Sequence, residues 1–318
     1  MTTGDVMATT DDASLEHELA PEAKKIEGRS PWRLALERLR RDRAAIISLV
    51  VIILIALMAI FAPLFAKVTG HPVNHQYFDI GLTLEGQPRP PNGTFVLGTD
   101  ILGRDVLVRI AYGARISLLV GVVATFLTMG IGTLVGLAAG YFGKIVDTVL
   151  ARLIDVMLSI PFLLFAITLS SIYHAGLKVV IFVLAIFGWS SIARIVRGQV
   201  LSIREREYVE AARAMGAGSW RIMIVDILPN VVAPIIVYTT LLIPVTIVAE
   251  ASLSFLGVGI QPPTADWGAM ISDAQQDYHN WWFLVFPSIA LLITTLAFNI
   301  FGDGVRDAFD PRADRMFH

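Results

Sequence analysis

The residues best suited to a specific function lie in a short polar segment between two long apolar stretches of the chain. Its apolar side chains recur at the helical spacing i, i+3, i+4 and i+7: Tyr208, Ala211, Ala212 and Met215. This spacing places them on one face of a helix. Glu210 can pair with Arg206 or Arg213 along the other face. The pattern favours non-covalent docking of a small amphipathic helix against a partner.

Stop signals follow this segment. Gly216 can adopt a positive φ and end the helix. Pro229, within Leu228-Pro229-Asn230, then precedes the next apolar stretch. Two interpretations are open: the helix lies on lipid headgroups, or it enters a groove on another subunit.

Catalytic and metal-binding patterns are absent from the sequence. It contains no phosphate-binding Gly-x4-Gly-Lys-Ser/Thr loop, no His-Glu-x2-His and no Gly-x-Ser-x-Gly. Cysteine is absent, which excludes thiolate chemistry. Pro72 separates His71 from His75, so a helical metal pair is disfavoured, and we expect the remaining histidines, which are scattered, in solvated loops. We therefore predict a non-enzymatic chain that binds no cofactor or metal itself.

Composition indicates a membrane protein. Of 318 residues, 55% are hydrophobic, and the mean hydropathy is +0.67, which is too apolar for an ordinary soluble domain. The net charge of −2 gives no reason to expect nucleic-acid binding. Residues 1–30 are polar and lack an apolar core, so they are predicted to be a disordered tail and not a signal peptide.

Six segments are apolar and long enough to cross a bilayer, which requires about 20 residues each. They are Ala45–Ala66, Ile116–Tyr141, Val149–Tyr173, Leu177–Val196, Val231–Ala251 and Trp282–Phe301. The predicted fold is therefore all-α and polytopic. Prolines in or near these spans are expected to kink them: Pro161, Pro234, Pro244 and Pro287.

Basic residues near the span ends set the predicted orientation. Arginines cluster before the first span, in the polar segment and after the last span: Arg33, Arg38, Arg40, Arg41, Arg43, Arg194, Arg197, Arg204, Arg206, Arg213, Arg221, Arg306, Arg312 and Arg315. Both termini and the polar segment are thus expected in the cytoplasm. The loop 67–113 is then external despite its own arginines, because long loops cross largely regardless of charge.

Further local patterns refine this organisation. Pro31–Arg43 is a basic amphipathic pattern with Trp32 on its apolar side, typical of an interfacial helix on the lipid bilayer. Thr99 or Asp100 could cap a short helix that runs up to the second span. Small residues in that span allow close helix packing, within the chain or against a partner: Gly132, Gly136 and Gly140.

Four stretches together resemble the permease C subunit of dipeptide and oligopeptide ABC importers. They are Leu97–Leu107 with Tyr112–Leu118, Gly188–Asn230, Glu250–Gly259 with Trp267-Gly268, and Gly302–Asp307 with Asp310-Pro311-Arg312. The resemblance runs from about Pro31 to Arg312. One departure is Asp226, where the family often has a basic or aromatic residue.

This resemblance implies a six-helix permease of the type I ABC importer kind in the plasma membrane of a prokaryote. Its partners would be a B-type permease, one fused or two separate ATPase subunits that bind ATP and magnesium, and an extracytoplasmic peptide-binding protein. The polar segment would be the coupling helix, with these contacts to the ATPase: Tyr208, Glu210, Ala211, Ala212, Met215, Gly216 and Pro229. Contacts to the external partner or substrate are expected at Asp100, Arg104, Asp105, Asp266 and Trp267.

The expected organisation is a tail (1–30), an interfacial helix and first span (31–66), an external loop (67–113), a core (114–303) with the coupling loop 204–230, and a cytoplasmic tail (304–318). Alternatives are a similar importer for nickel chelates or glutathione, an autonomous proton-coupled carrier, and a structural scaffold. A carrier would be expected to keep carboxylates or histidines at the membrane centre, and the central turns of the predicted spans contain none.

Overall fold

The computed structural model of the chain describes residues 31–275 and 279–310, and these are nearly all helical. The predicted tail 1–30 and the end of the tail 304–318 lie outside the described residues. The helices are α1 Pro31–Arg41, α2 Arg43–Ile60, α3 Ala62–Thr69, α4 Phe78–Gly81, α5 Val106–Phe142, α6 Lys144–Ser159, α7 Phe162–Tyr173, α8 Leu177–Ile203, α9 Glu207–Ala214, α10 Ser219–Arg221, α11 Leu228–Phe255, α12 Trp267–Ala274 and α13 Trp281–Phe309. A wider π-helical turn, Ile222–Ile227, joins α10 to α11.

Among the described residues, 5 helical stretches are long and apolar enough to cross a membrane: α2, α5, α8, the continuous stretch Ser219–Phe255, and α13. The predicted third span is not one straight helix, because α6 and α7 meet at an angle of 86°. Pro161 causes this break: it lacks an N–H, and it disfavours helical geometry at the residue before it. Ile160 is accordingly extended, with ψ 126°. Counting the bent pair as one span gives the expected 6.

Helix α5 begins earlier than predicted, at Val106. The prediction that Thr99 or Asp100 caps it was wrong: Asp105 does so, with its Oδ1 accepting hydrogen bonds from the N–H of Leu107 at 2.8 Å and of Val108 at 3.3 Å. Helix α5 has 37 residues. At about 1.5 Å per residue, its length exceeds the thickness of the hydrocarbon core, which is roughly 30 Å. The helix therefore extends beyond the membrane and carries the adjoining loop.

The small residues of α5 pack against α8 within the same chain, which was one of the two predicted alternatives. A Cβ atom on Gly132 would lie 2.7 Å from Ile192 Cβ, and one on Gly136 would lie 2.7 Å from the Ala193 carbonyl oxygen. Gly140 approaches Val200 equally closely. These glycines let the two backbones meet at a distance that any side chain would prevent.

The amphipathic helix α1 lies against the end of α13. The Trp32 and Phe309 rings are 5.3 Å apart between centroids, edge to face. Arg38 Nη1 donates to the Asp310 carbonyl oxygen at 2.9 Å. Trp32 and Leu36 nevertheless stay about half exposed, as an interfacial helix requires.

The glycine contact gives a stability prediction. Gly136→Val should force α5 and α8 apart, and overpacking of this kind costs about 1–3 kcal/mol. We expect a lower melting temperature in detergent. Gly130→Val is the matched control, because Gly130 lies in the same helix and a Cβ added to it would have no atom within 4 Å. Equal melting temperatures for the two variants would contradict the packing argument.

Candidate functional site: the coupling loop and the external cluster

The polar segment forms the helix α9, Glu207–Ala214, as its pattern predicts. Glu207 and Glu210 lie in its first turn, where negative charge interacts favourably with the helix dipole. Gly216 has φ +81°, and the N–H of Ala217 donates to the Ala212 carbonyl oxygen at 3.0 Å. The predicted positive φ at Gly216 is therefore present, and it turns the chain away from α9.

Two faces of α9 have different surroundings. Tyr208 is 46% exposed and Met215 82% exposed, and Ala211 is exposed beside them. Ala212 is partly buried and packs against the chain's own core; its contact with a partner subunit stays a prediction. Val209, which the sequence analysis did not single out, is fully buried in that core. Val209 and Ala212 are spaced i, i+3, and this spacing was the sequence signal that they share one side of α9.

The loop continues without a break into the fifth span. Ile222, Met223 and Ile227 of the π-helical turn are buried in the cluster that holds Val209. Pro229 is exposed near the start of α11, where its missing N–H is tolerated. Asn230 Nδ2 donates to the Asp226 carbonyl oxygen at 2.7 Å. The helix α9 is thus packed directly onto the first turns of a long membrane helix.

Cationic side chains connect this loop to neighbouring helices. The predicted pair of Arg213 with Glu210 is not observed between these two described residues; the Arg213 guanidinium lies over the Tyr141 ring, 5.9 Å from its centroid. Arg204 Nη1 donates to the Gly140 carbonyl oxygen at 3.0 Å. Arg197 binds both carboxylate oxygens of Asp147, with Nη2 to Oδ2 at 2.7 Å. These contacts connect α5, α6, α8 and α9.

On the opposite end of the spans, the loop 70–105 folds around buried charges. Arg104 Nε donates to Asp100 Oδ2 at 2.6 Å, and Arg109 Nε lies 3.4 Å from the same oxygen. Arg104 Nη2 also lies 3.6 Å from Asp273 of α12. Asp100 and Arg104 are each only 4% exposed. The loop is therefore attached to α12 by one ion pair, in which Arg104 is buried and the Asp273 side chain is 38% exposed.

His71 is buried in the loop 70–105. Its Nδ1 lies 2.6 Å from Asp105 Oδ2, and its ring stacks on Phe95 with centroids 4.6 Å apart. Asp105 uses its other oxygen to cap α5. This pair fixes the start of the loop 70–105 to the N-terminal end of α5.

Asp266 and Trp267 are fully buried. Asp266 Oδ2 accepts from the Ala269 N–H at 2.9 Å and so caps α12, while Trp267 Nε1 donates to the Ile110 carbonyl oxygen at 3.1 Å. All the residues expected to meet an external partner thus have almost no free surface in this structure, and their observed contacts are internal: Asp100, Arg104, Asp105, Asp266 and Trp267. Their direct contact with a partner stays a prediction.

Comparison with known proteins identifies the family of this chain. Residues 132–315 match the family model described as binding-protein-dependent transport system inner membrane component. Residues 30–84 match the N-terminal transmembrane domain of oligopeptide transport permease C. The chain belongs to this permease family.

Relatives of the permease are similar along nearly their whole length. A dipeptide transport system permease protein, DppC of Bacillus subtilis, is 42% identical over 89% of this chain and 85% of the relative. An oligopeptide transport system permease protein, OppC of Haemophilus influenzae, is 39% identical over 92% of each. A glutathione transport system permease protein, GsiD of Pectobacterium atrosepticum, is 39% identical over 89% of this chain and 92% of the relative.

A solved structure supports the fold. The inward-facing MetNI methionine ABC transporter contains a chain that aligns with a TM-score of 0.52 and 24% identity. The alignment covers 64% of the permease and 96% of that chain. The permease therefore has the helical fold of an ABC importer membrane subunit, with additional residues of its own.

One buried carboxyl group of the permease was not predicted from the sequence. Glu250, in the last turns of α11, is fully buried and accepts from Ser254 Oγ at 2.9 Å and from Ser117 Oγ at 3.2 Å. Ser117 Oγ also lies 3.5 Å from Asp266 Oδ1. Glu250 lies near the end of a span, whereas the carboxylates expected of a carrier would lie at the membrane centre. It joins α11 to α5 and to the cap of α12.

No grouping of His, Asp or Glu suited to a metal ion occurs within 31–275 and 279–310. The Glu250 carboxyl group accepts hydrogen bonds from two hydroxyls, and that of Asp266 accepts one from a backbone N–H. Burial raises the pKa of Asp266 above its ordinary value of 3.8 because the charged form is poorly solvated there. The folded permease consequently favours the protonated form of Asp266 more than the unfolded chain does.

A pH prediction follows from Asp266. Because its folded pKa is raised, its stabilising contribution is complete below pH 3.8 and is lost as the pH rises through the folded pKa. Asp266→Asn keeps an oxygen for the cap and carries no charge. We expect its melting temperature at pH 7 to equal or exceed that of the wild type, with the difference shrinking toward pH 4.

Asp266→Leu is the matched control, because it removes both the charge and the cap. It should melt lower than the wild type at each pH, since losing a cap costs about 0.5–2 kcal/mol. A large destabilisation of Asp266→Asn across the whole pH range would instead show that the ionised carboxylate is needed.

Proposed function

We propose that this permease forms half of the translocation path of an ATP-driven importer for di- or oligopeptides. One observation carries the proposal: α9 exposes Tyr208, Ala211 and Met215 while Val209 packs it onto the inner end of α11. An apolar face on a short helix fits a groove on another subunit. The names of the dipeptide and oligopeptide relatives support the choice of substrate.

The proposed mechanism is conformational. Partner ATPase subunits, either one fused chain or two, bind ATP and magnesium and hold α9 in a groove. When these subunits move, α9 moves with them, and its buried contacts with the π-helical turn transmit the displacement to Ser219–Phe255. Spans that switch as rigid elements open the path alternately to each side. The permease itself contributes no catalytic group.

Individual residues have distinct proposed roles. Tyr208, Ala211 and Met215 form the apolar contact with the ATPase, and Glu210 lies exposed beside them. Ala212 positions the helix from the inside. Gly216 and Pro229 set the path of the chain after the helix.

The remaining partners follow from the same assignment. A B-type permease supplies the other half of the path, and an extracytoplasmic peptide-binding protein delivers the substrate to the external side. The buried cluster around Asp100 and Arg104 would shape the surface on that side. Both termini and α9 are placed in the cytoplasm of a prokaryote, with the loop 67–113 outside, on the asymmetry of the arginines.

Glutathione is a second candidate substrate, because one relative is named for its transport. It is itself a small peptide, so the same path could accommodate it. An autonomous carrier is less well supported: Glu250 is fully buried and bonded to Ser117 and Ser254, whereas a proton-relay carboxylate should face a substrate or ion pathway.

The coupling role can be tested at Gly216. Gly216→Val places a branched side chain at φ +81°, which costs roughly 1–2 kcal/mol and should misdirect the chain after α9. We expect normal membrane abundance, but at least about tenfold less dipeptide uptake by proteoliposomes that contain the complete transporter. Stimulation of the ATPase by loaded binding protein should fall in parallel.

Gly218→Val is the matched control, because Gly218 has φ −68° and no atom within 4 Å of its added Cβ. It should transport as the wild type does. If Gly216→Val also couples normally, α9 is only an interfacial anchor, and the proposed function loses its main support.

The orientation can be tested with single cysteines, because the chain has none of its own. Thr94 and Ser219 are both exposed. A membrane-impermeant maleimide should label Thr94→Cys in intact cells, and should label Ser219→Cys only after permeabilisation. The opposite pattern would reverse the proposed topology.

A further inference from the structure

A polar cavity of about 360 Å³ lies beside the coupling helix. It is formed where the turn between α5 and α6 meets the end of α8 and the last turn of α9, and it is lined by Tyr141, Phe142, Gly143, Lys144, Arg204, Glu205 and Arg213. The turn has two consecutive residues with positive φ, Gly143 at 64° and Lys144 at 45°. A positive φ is uncommon for a residue other than glycine. It brings Lys144 to the wall of the cavity.

The lining has excess positive charge. Lys144, Arg204 and Arg213 contribute three cations against the single carboxylate of Glu205. Arg204 Nε donates to that carboxylate at 2.9 Å. Arg213 contacts only an aromatic ring in this region, and within the described chain Lys144 has no carboxylate within ion-pair distance. Two positive charges thus remain without an anion.

The surroundings of the cavity are apolar and exposed. Phe142 forms part of its wall, and Ile145 and Val149 continue outward along α6, 79% and 61% exposed respectively. On a helix that belongs to a membrane-spanning pair, such side chains face lipid tails. The cavity therefore presents cations at one end of a strip that suits an acyl chain.

We propose that this cavity binds the phosphate headgroup of an anionic phospholipid. Lys144 and Arg213 contact the phosphate oxygens, since ammonium and guanidinium groups bind phosphate strongly, and the acyl chain lies along Ile145 and Val149. Basic pockets between membrane helices on the cytoplasmic side suit such headgroups. A soluble anion has no acyl chain that could contact the apolar strip, and this favours a lipid.

The proposed site has a regulatory consequence. Arg213 belongs to α9, while Lys144 belongs to the turn between α5 and α6. A phosphate bound to both residues bridges the coupling helix to the α5–α8 pair and favours the position of α9 described here. This consequence rests on the proposed coupling function, but the binding itself does not.

Native mass spectrometry of the purified, delipidated full chain tests the binding. Titration with phosphatidylglycerol should give a tighter first binding event than titration with phosphatidylcholine. Lys144→Gln and Arg213→Gln should each weaken that event roughly fivefold, the effect of about one cation at an anionic lipid surface. Lys144→Arg should retain it.

Arg221→Gln is the matched control, because it removes an exposed cation of the same loop that does not line the cavity. It should bind phosphatidylglycerol as the wild type does, and melting temperatures check that every variant is folded. Equal affinity in all variants, or an equal loss in Arg221→Gln, would overturn the site. Displacement of the lipid by millimolar glycerol phosphate would also overturn it, because the acyl chain would then play no part.

An acidic side chain of the ATPase subunit is the competing occupant. In that case Lys144→Glu should release the ATPase during copurification while phosphatidylglycerol binding by the isolated chain stays unchanged, and this result would refute the proposal. We expect instead that Lys144→Glu loses the lipid and keeps the ATPase. Neither measurement depends on peptide uptake, so failure of the lipid site and failure of the proposed import function are distinguishable.

Discussion

The close contact between α5 and α8 is the constraint on which the rest of the permease depends. Lipid tails are as apolar as leucine, so helices in a membrane associate through packing rather than through a hydrophobic driving force. The stripe Gly132, Gly136 and Gly140 supplies that packing by letting the α8 backbone approach. The outer end of α5 then carries the loop 70–105, and its inner end leads into the turn at Gly143. Both functional regions are thus attached to one rigid pair.

Polar groups are concentrated at the two ends of this framework. At the outer end, Asp105 caps α5 and binds His71. At the inner end, Arg204 binds the carbonyl oxygen of Gly140, and Arg197 binds Asp147. Unsatisfied polar groups are costly at membrane depth, so these contacts belong where the helices leave the hydrocarbon. These contacts hold the helix ends in place, and the apolar middle parts of the helices associate through side-chain packing.

Local features could be predicted from the sequence, and features that depend on distant contacts could not. The spans could be predicted because each is a long apolar segment. The positive φ at Gly216 could be predicted because a glycine follows the last turn of a helix. Pro161 signalled a break in the third span, but not the 86° angle, which depends on how α6 and α7 pack. The i, i+3 spacing of Val209 and Ala212 is visible in the sequence, but their packing against Ile227 and its neighbours depends on the fold. Asp266 resembled a surface acid because Ser117 and Glu250 are far from it in sequence.

The fifth span is held differently at its two ends. Its C-terminal end is bound through Glu250 to Ser117 of α5, and Asp266 lies beside that contact. Its N-terminal end begins with the π-helical turn that carries α9, where the contacts with α9 are apolar side chains. Buried hydrogen bonds are directional, whereas apolar contacts tolerate small shifts. The end of α11 near Glu250 is therefore the more firmly fixed, and the end beside α9 is the one that can shift. Under the proposed coupling function, a displacement of α9 would turn α11 about its Glu250 end.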